Sequence, residues 1–96
     1  MTVIIGQSYL LSSVLSVNLD LATVVVRYLI PGMTPDQFLT IPASIDLSSN
    51  TITALITSTI NNTLGRWLFW LYITYPDQTV YKSKPIIIQC ISEGSI

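Results

Sequence analysis

Hydrophobic and polar positions alternate with a period of two along most of this chain, and the clearest example is Arg66-Trp67-Leu68-Phe69-Trp70-Leu71-Tyr72-Ile73-Thr74-Tyr75. A strand sends successive side chains to opposite faces. One face of this segment therefore carries Trp67, Phe69, Leu71, Ile73 and Tyr75, a continuous core row. The other carries Arg66, Leu68, Trp70, Tyr72 and Thr74, and its middle is apolar too. A sandwich strand ordinarily turns polar groups outward, so this one is expected to be covered on both sides. Thr23 to Ile30 forms a second strand rich in β-branched residues, with Val24, Val26, Tyr28 and Ile30 on one face and Pro31-Gly32 as its stop.

Weaker alternation predicts a strand over about Tyr9 to Leu15, another around Ala43 to Leu47, and a returning strand at Thr51 to Ile56 after the turn chemistry of Ser48-Ser49-Asn50. Met33 to Thr40 reads as a loop, with Thr34-Pro35-Asp36-Gln37 as a turn or a single helical turn. Ser58 to Leu64 reads as a polar connection. After Pro76-Asp77, Thr79 to Lys82 pairs back, and Ile86 to Ile91 closes the domain, with Pro85 where pairing stops or shifts register. About seven short strands at regular spacing predict an all-β, immunoglobulin-like antiparallel β-sandwich spanning residues 1–96 as one domain.

Charge changes the picture. Only 9% of the 96 residues are charged, against about 25% in ordinary soluble domains. Arg27, Arg66, Lys82 and Lys84 oppose Asp20, Asp36, Asp46, Asp77 and Glu93 for a net charge of −1. So little repulsion favours association. Four scattered cations form no stripe for phosphates, so no nucleic-acid partner is expected. Mean hydropathy is +0.61, yet the longest apolar run, Trp67 to Ile73, is far below the ~18 residues of a spanning helix. The strands are also too few for a membrane barrel. No membrane partner is expected, and Val3-Ile4-Ile5 is too short for the apolar core of a secretory signal.

Chemistry is sparse. The chain has no histidine and one cysteine, Cys90. That removes the usual nucleophile–imidazole pairs and the usual zinc sets. No cofactor, metal, small-molecule substrate or enzymatic activity is expected. Cys90 alternates with Ile88 and Ile86, as a small core side chain would. The aspartates sit at turns, where their carboxylates serve local backbone. Asn61-Asn62-Thr63 matches the glycosylation acceptor pattern but sits in a segment with no secretion signal ahead of it. Trp70 is out of phase with Trp67, so the two indoles face opposite ways. Either the segment Met33 to Ile41 folds over Trp70, or Leu68, Trp70 and Tyr72 form a docking row for another chain. We take docking as the expected role.

Two segments carry a resemblance. Asp20-Leu21-Ala22-Thr23-Val24-Val25-Val26-Arg27-Tyr28-Leu29-Ile30-Pro31-Gly32 and Gly65-Arg66-Trp67-Leu68-Phe69-Trp70-Leu71-Tyr72-Ile73-Thr74-Tyr75-Pro76-Asp77 resemble the opening strand and the tryptophan strand-and-turn of small immunoglobulin-like domains of tailed-phage virions. That family includes the N-terminal domain of the baseplate upper protein. The resemblance covers about residues 15 to 91. It implies a virion location, a structural role at tail, baseplate or fibre attachment, and other virion proteins as partners in a symmetric, multi-copy assembly. A capsid decoration (cement) protein is the nearest alternative, and a carbohydrate-binding sandwich using Trp70 and Tyr72 is a second. Three departures stand out: Ala22 where Thr-Gly is common, Asp77-Gln78 in place of Asp-Gly, and Leu68, Trp70 and Tyr72 where the family places threonine or glutamine.

Overall fold

The longest strand organises everything else. In the computed structural model, which describes residues 1–95, the tryptophan-rich segment is a strand over Gly65–Thr74 with three strands hydrogen-bonded along it. In chain order the strands are β1 (Thr2–Ile4), β2 (Tyr9–Val14), β3 (Thr23–Leu29), β4 (Leu39–Pro42), β5 (Ser44–Asp46), β6 (Thr51–Ile56), β7 (Gly65–Thr74), β8 (Val80–Lys82) and β9 (Ile86–Ile91). Short 3-10 turns lie at Pro35–Gln37 and Glu93–Ser95. Six strands make a large sheet in the order β1-β9-β7-β3-β4, with β8 also on β7. Three make a small sheet, β2-β6-β5. The fold is all-β and sandwich-like.

Two expectations are corrected. There are nine strands among the described residues rather than about seven, and the sheets are not wholly antiparallel, because β1 runs parallel to β9 with Val3 beside Cys90. β1 has three residues, too few for alternation to register. β4 begins inside the Met33 to Thr40 segment that the pattern predicts as a loop. It ends in Pro42, which a sheet tolerates only at an edge, and β4 is an edge strand. Elsewhere the turn chemistry acts as read. Tyr75 and Thr79 close a three-residue connection in which Gln78 N–H donates to Tyr75 O (3.0 Å) and Gln78 takes a φ of 71°. Around Pro85 the register slips: Ile86 lies four positions after Lys82, whereas their β7 partners Phe69 and Tyr72 are three positions apart. Ser83 bridges the slip, its N–H donating to Leu71 O and its Oγ accepting from Leu71 N–H (2.8 Å).

Trp67, Phe69 and Ile73 are buried beside Val24, Val26 and Tyr28 of β3. The Tyr28 ring stacks on Trp67 and Phe69, with centroids 5.9 and 5.7 Å apart. Trp67 Nε1–H donates to Thr63 O (2.8 Å), so its one polar atom is satisfied. Ile52, Ala54 and Ile56 of β6 close the core from the small sheet. Leu71, expected to be buried with its row, is only half-buried. It faces an open slot of about 430 Å³ between the sheets, lined by Leu11, Ile52 and Ala54 on one side and Val26, Phe69 and Leu71 on the other.

Candidate functional site

The outward row of β7 is where docking was expected, and its neighbours follow from register. Leu68 lies opposite Leu29, Trp70 opposite Arg27, and Tyr72 opposite Val25 on one side and Lys82 on the other. Leu68, Trp70 and Tyr72 are all half-buried, so the row is not the free face the expectation required. The cover comes from the chain itself. Phe38, at the end of the Pro35–Gln37 turn, sets its ring edge-on to Trp70 at 6.1 Å and 71°. Arg27 lays its guanidinium over the Tyr72 ring at 3.5 Å and against the Phe38 ring at 4.2 Å. Lys82 Nζ stands 5.8 Å from the centroid of the Tyr72 ring. This is an aromatic–cation stack, Phe38–Arg27–Tyr72, in which the ring quadrupoles offset the guanidinium's lost hydration. Arg27 Nε is buried with no hydrogen-bond partner among the described residues.

The segment Met33 to Ile41 thus covers Trp70 in part, leaving the rest of the row open. What holds that segment is local: Met33 N–H donates to Ile30 O, Gln37 N–H to Thr34 O, and Thr34 N–H to Gln37 Oε1 (3.1 Å). Sequence reading placed the loop and the phase of Trp70. It did not single out Phe38 or Arg27. An arginine on the outer face of a strand otherwise reads as solvated, and its ring partners Phe38 and Tyr72 lie on other segments of the chain.

The polar residues serve structure. Asn61 is buried. Its Nδ2 donates to Ile4 O (2.8 Å) and Gln7 O (2.9 Å), while its Oδ1 accepts the Cys90 thiol (3.1 Å). One amide thereby ties β1, β9 and the Ser58–Leu64 connection together. With its side chain enclosed, Asn61 offers no glycan acceptor in the folded chain. Burial pushes the Cys90 thiol up, and pushes the Tyr9 phenol up to about 12, with Cys90 beside it adding to the shift. Asp46 accepts from Ser48 Oγ–H and N–H, and the Thr79 hydroxyl and N–H both act on Asp77; these interactions hold both carboxyls below their usual range. Asp36 is lowered chiefly by the Thr34 hydroxyl. Among the described residues no three His, Cys, Asp or Glu side chains gather as metal ligands would. Asn50, at φ 53°, caps the small sheet by donating to Leu15 O (2.6 Å) and Val17 O (2.7 Å).

No protein-family model matches the chain, and no curated protein matches it.

Proposed function

We propose that this chain is a non-enzymatic structural component of a tailed-phage particle, an immunoglobulin-like module that docks onto a larger virion protein at the tail, baseplate or fibre attachment. The observation that carries the reading is the β7 outer row. Leu68, Trp70 and Tyr72 present a run without charge that Phe38 and Arg27 cover only in part. The resemblance of the Asp20–Gly32 and Gly65–Asp77 segments to phage domains supplies the particle. Partially covered aromatics on a rigid sheet suit a hot spot, where a second protein completes desolvation. Docking in several symmetric copies fits a chain with so little charge repulsion.

A capsid-decoration role uses the same face and the same fold. A carbohydrate platform is less well supported, because Arg27 already occupies a face of Tyr72. Mass spectrometry of density-purified particles from the source culture tests the proposal, with the chain expected at a fixed copy number. Trp70→Ala is expected to stay folded and drop out of the particles. A chain missing from the particles overturns the virion reading; full incorporation of Trp70→Ala overturns the docking row alone.

A further inference from the structure

A different region, the free edge of β2, has a geometry of its own. Among the described residues β2 pairs with β6 and nothing else. Leu15 N–H donates to Asn50 O (3.0 Å), which marks Leu15 and Asn50 as a hydrogen-bonded pair just beyond the ladder. Antiparallel ladders alternate. Tyr9, Leu11 and Ser13 therefore turn their amides and carbonyls toward β6, and Leu10, Ser12 and Val14 turn theirs to the open edge.

Edges are normally guarded by charge, proline, bulges or brevity. The other edges here follow that rule: β4 carries Pro42, β8 carries Lys82, β5 carries Asp46, and β1 has three residues. β2 has six residues, no charge and no proline. Around it, large apolar side chains stand in the open: Leu10 is 61% exposed, Val14 74%, and Met1 and Ile86 at the mouth of the inter-sheet slot 66% and 52%.

We propose that two copies of this chain join through antiparallel pairing of β2 with β2, about a two-fold axis at Ser12. The occupant is argued from self-complementarity. Inward residues must stay inward, so even-numbered positions must face even-numbered positions. Centred on Ser12, the register sets Leu10 against the partner's Val14 and Ser12 against the partner's Ser12. Every outward amide and carbonyl of Leu10, Ser12 and Val14 then finds its counterpart. Centred on Leu11, the register would set Val14 against the partner's Ser8, which lies outside the strand. Apolar meets apolar, hydroxyl meets hydroxyl, and no like charges are opposed. The result is an isologous contact, a continuous sheet β5-β6-β2-β2-β6-β5 with the two slots brought together. It does not rest on the virion reading or on the β7 row.

Sedimentation equilibrium over a dilution series, with two substitutions, tests it. The native chain is expected to reach a dimer mass. Ser12→Pro removes an N–H that faces only the open edge, so the β2–β6 ladder survives and the dimer dissociation constant rises by about a hundredfold. Ser12→Cys places two thiols across the axis on Cα atoms about 5.5 Å apart, within disulfide reach. It is expected to cross-link under mild oxidant much faster than Thr53→Cys, on the neighbouring strand's outer face. The inference is overturned by a native chain that stays monomeric throughout, or that pairs only with another protein's strand. Equal cross-linking of the two cysteine variants overturns it too, as does a folded Ser12→Pro chain that dimerises as tightly as the native one.

Discussion

The large sheet covers part of its apolar outer row with its own chain, whereas the small sheet leaves its outward apolar residues open. On β7, Trp70 and Tyr72 meet Phe38 and Arg27, delivered by the excursion between β3 and β4. On β2 and β6, Leu10, Val14 and Leu55 each stand more than half exposed among serines and threonines. The two regions differ in the connection between their consecutive paired strands. β3 and β4 are joined by residues 30–38, enough to fold back across a face. β5 and β6 are joined by residues 47–50, enough only to turn. The hairpin connection of the large sheet thus reaches across its outer face, while that of the small sheet does not, and the longer segments that leave β2 and β6 pass on to the large sheet.

The largest effect that separates the regions is core against outer face. Phe69→Ala is expected to cost on the order of 3–5 kcal/mol, whereas Leu55→Ser, a comparable loss of bulk on the open face, should lie within about 0.5 kcal/mol of the native chain; urea unfolding measures both. Next comes Asn61→Ala, which strips partners from Ile4 O, Gln7 O and the Cys90 thiol at once. A loss of about 3 kcal/mol is expected, along with faster Cys90 labelling by a thiol reagent. Cys90→Ser, which keeps the donor, should cost less.

Phe38→Ala sharpens the contrast directly, since it makes the large sheet resemble the small one. A loss of about 1–2 kcal/mol is expected, with a red shift of Trp70 fluorescence and increased binding of apolar dyes. Leu21 sits at φ 59°, where a side chain is strained, and is 79% exposed. Leu21→Gly should stabilise by about 0.5–1 kcal/mol, read as a higher melting temperature.

The smallest effect at neutral pH concerns Tyr9 of the small sheet and Cys90 of the large one, whose folded values both lie above their usual 10.0 and 9.0. The native state holds these protons where the unfolded chain releases them. Their contribution is complete below about pH 9 and is lost as pH climbs through the raised values. The melting temperature should therefore be flat to about pH 8.5 and fall above it, and Cys90→Ala should delay the onset.

Much of this was legible in the sequence where alternation ran long. β3 and β7, the phase that buries Trp67 and Phe69, the core position of Cys90 and the Pro76-Asp77 turn all follow from local pattern. β1 and β4 did not, because strands of three and four residues carry almost no period and owe their existence to partners far along the chain. The outer row of β7 was assigned to the correct face. Its cover was hidden because an aromatic–cation stack between Arg27, Phe38 and Tyr72 has no spacing rule. Asn61 looked like a residue of a polar connection, and nothing local marks an amide that reaches back to Ile4.

The parallel pairing of β1 with β9 also sets an order of events. Thr2 lies beside Gln89, so β1 has as its one sheet partner among the described residues a strand that follows it by the span of all the other strands. β2 with β6 and β3 with β7 have all their residues available well before Ile86 to Ile91 is made. Closing so long a loop comes late and costs entropy that nearer pairings need not meet. During synthesis, then, Val3 and Ile4 wait beside a domain that is otherwise assembled, and the Asn61 amide stays open until β9 arrives to seal it.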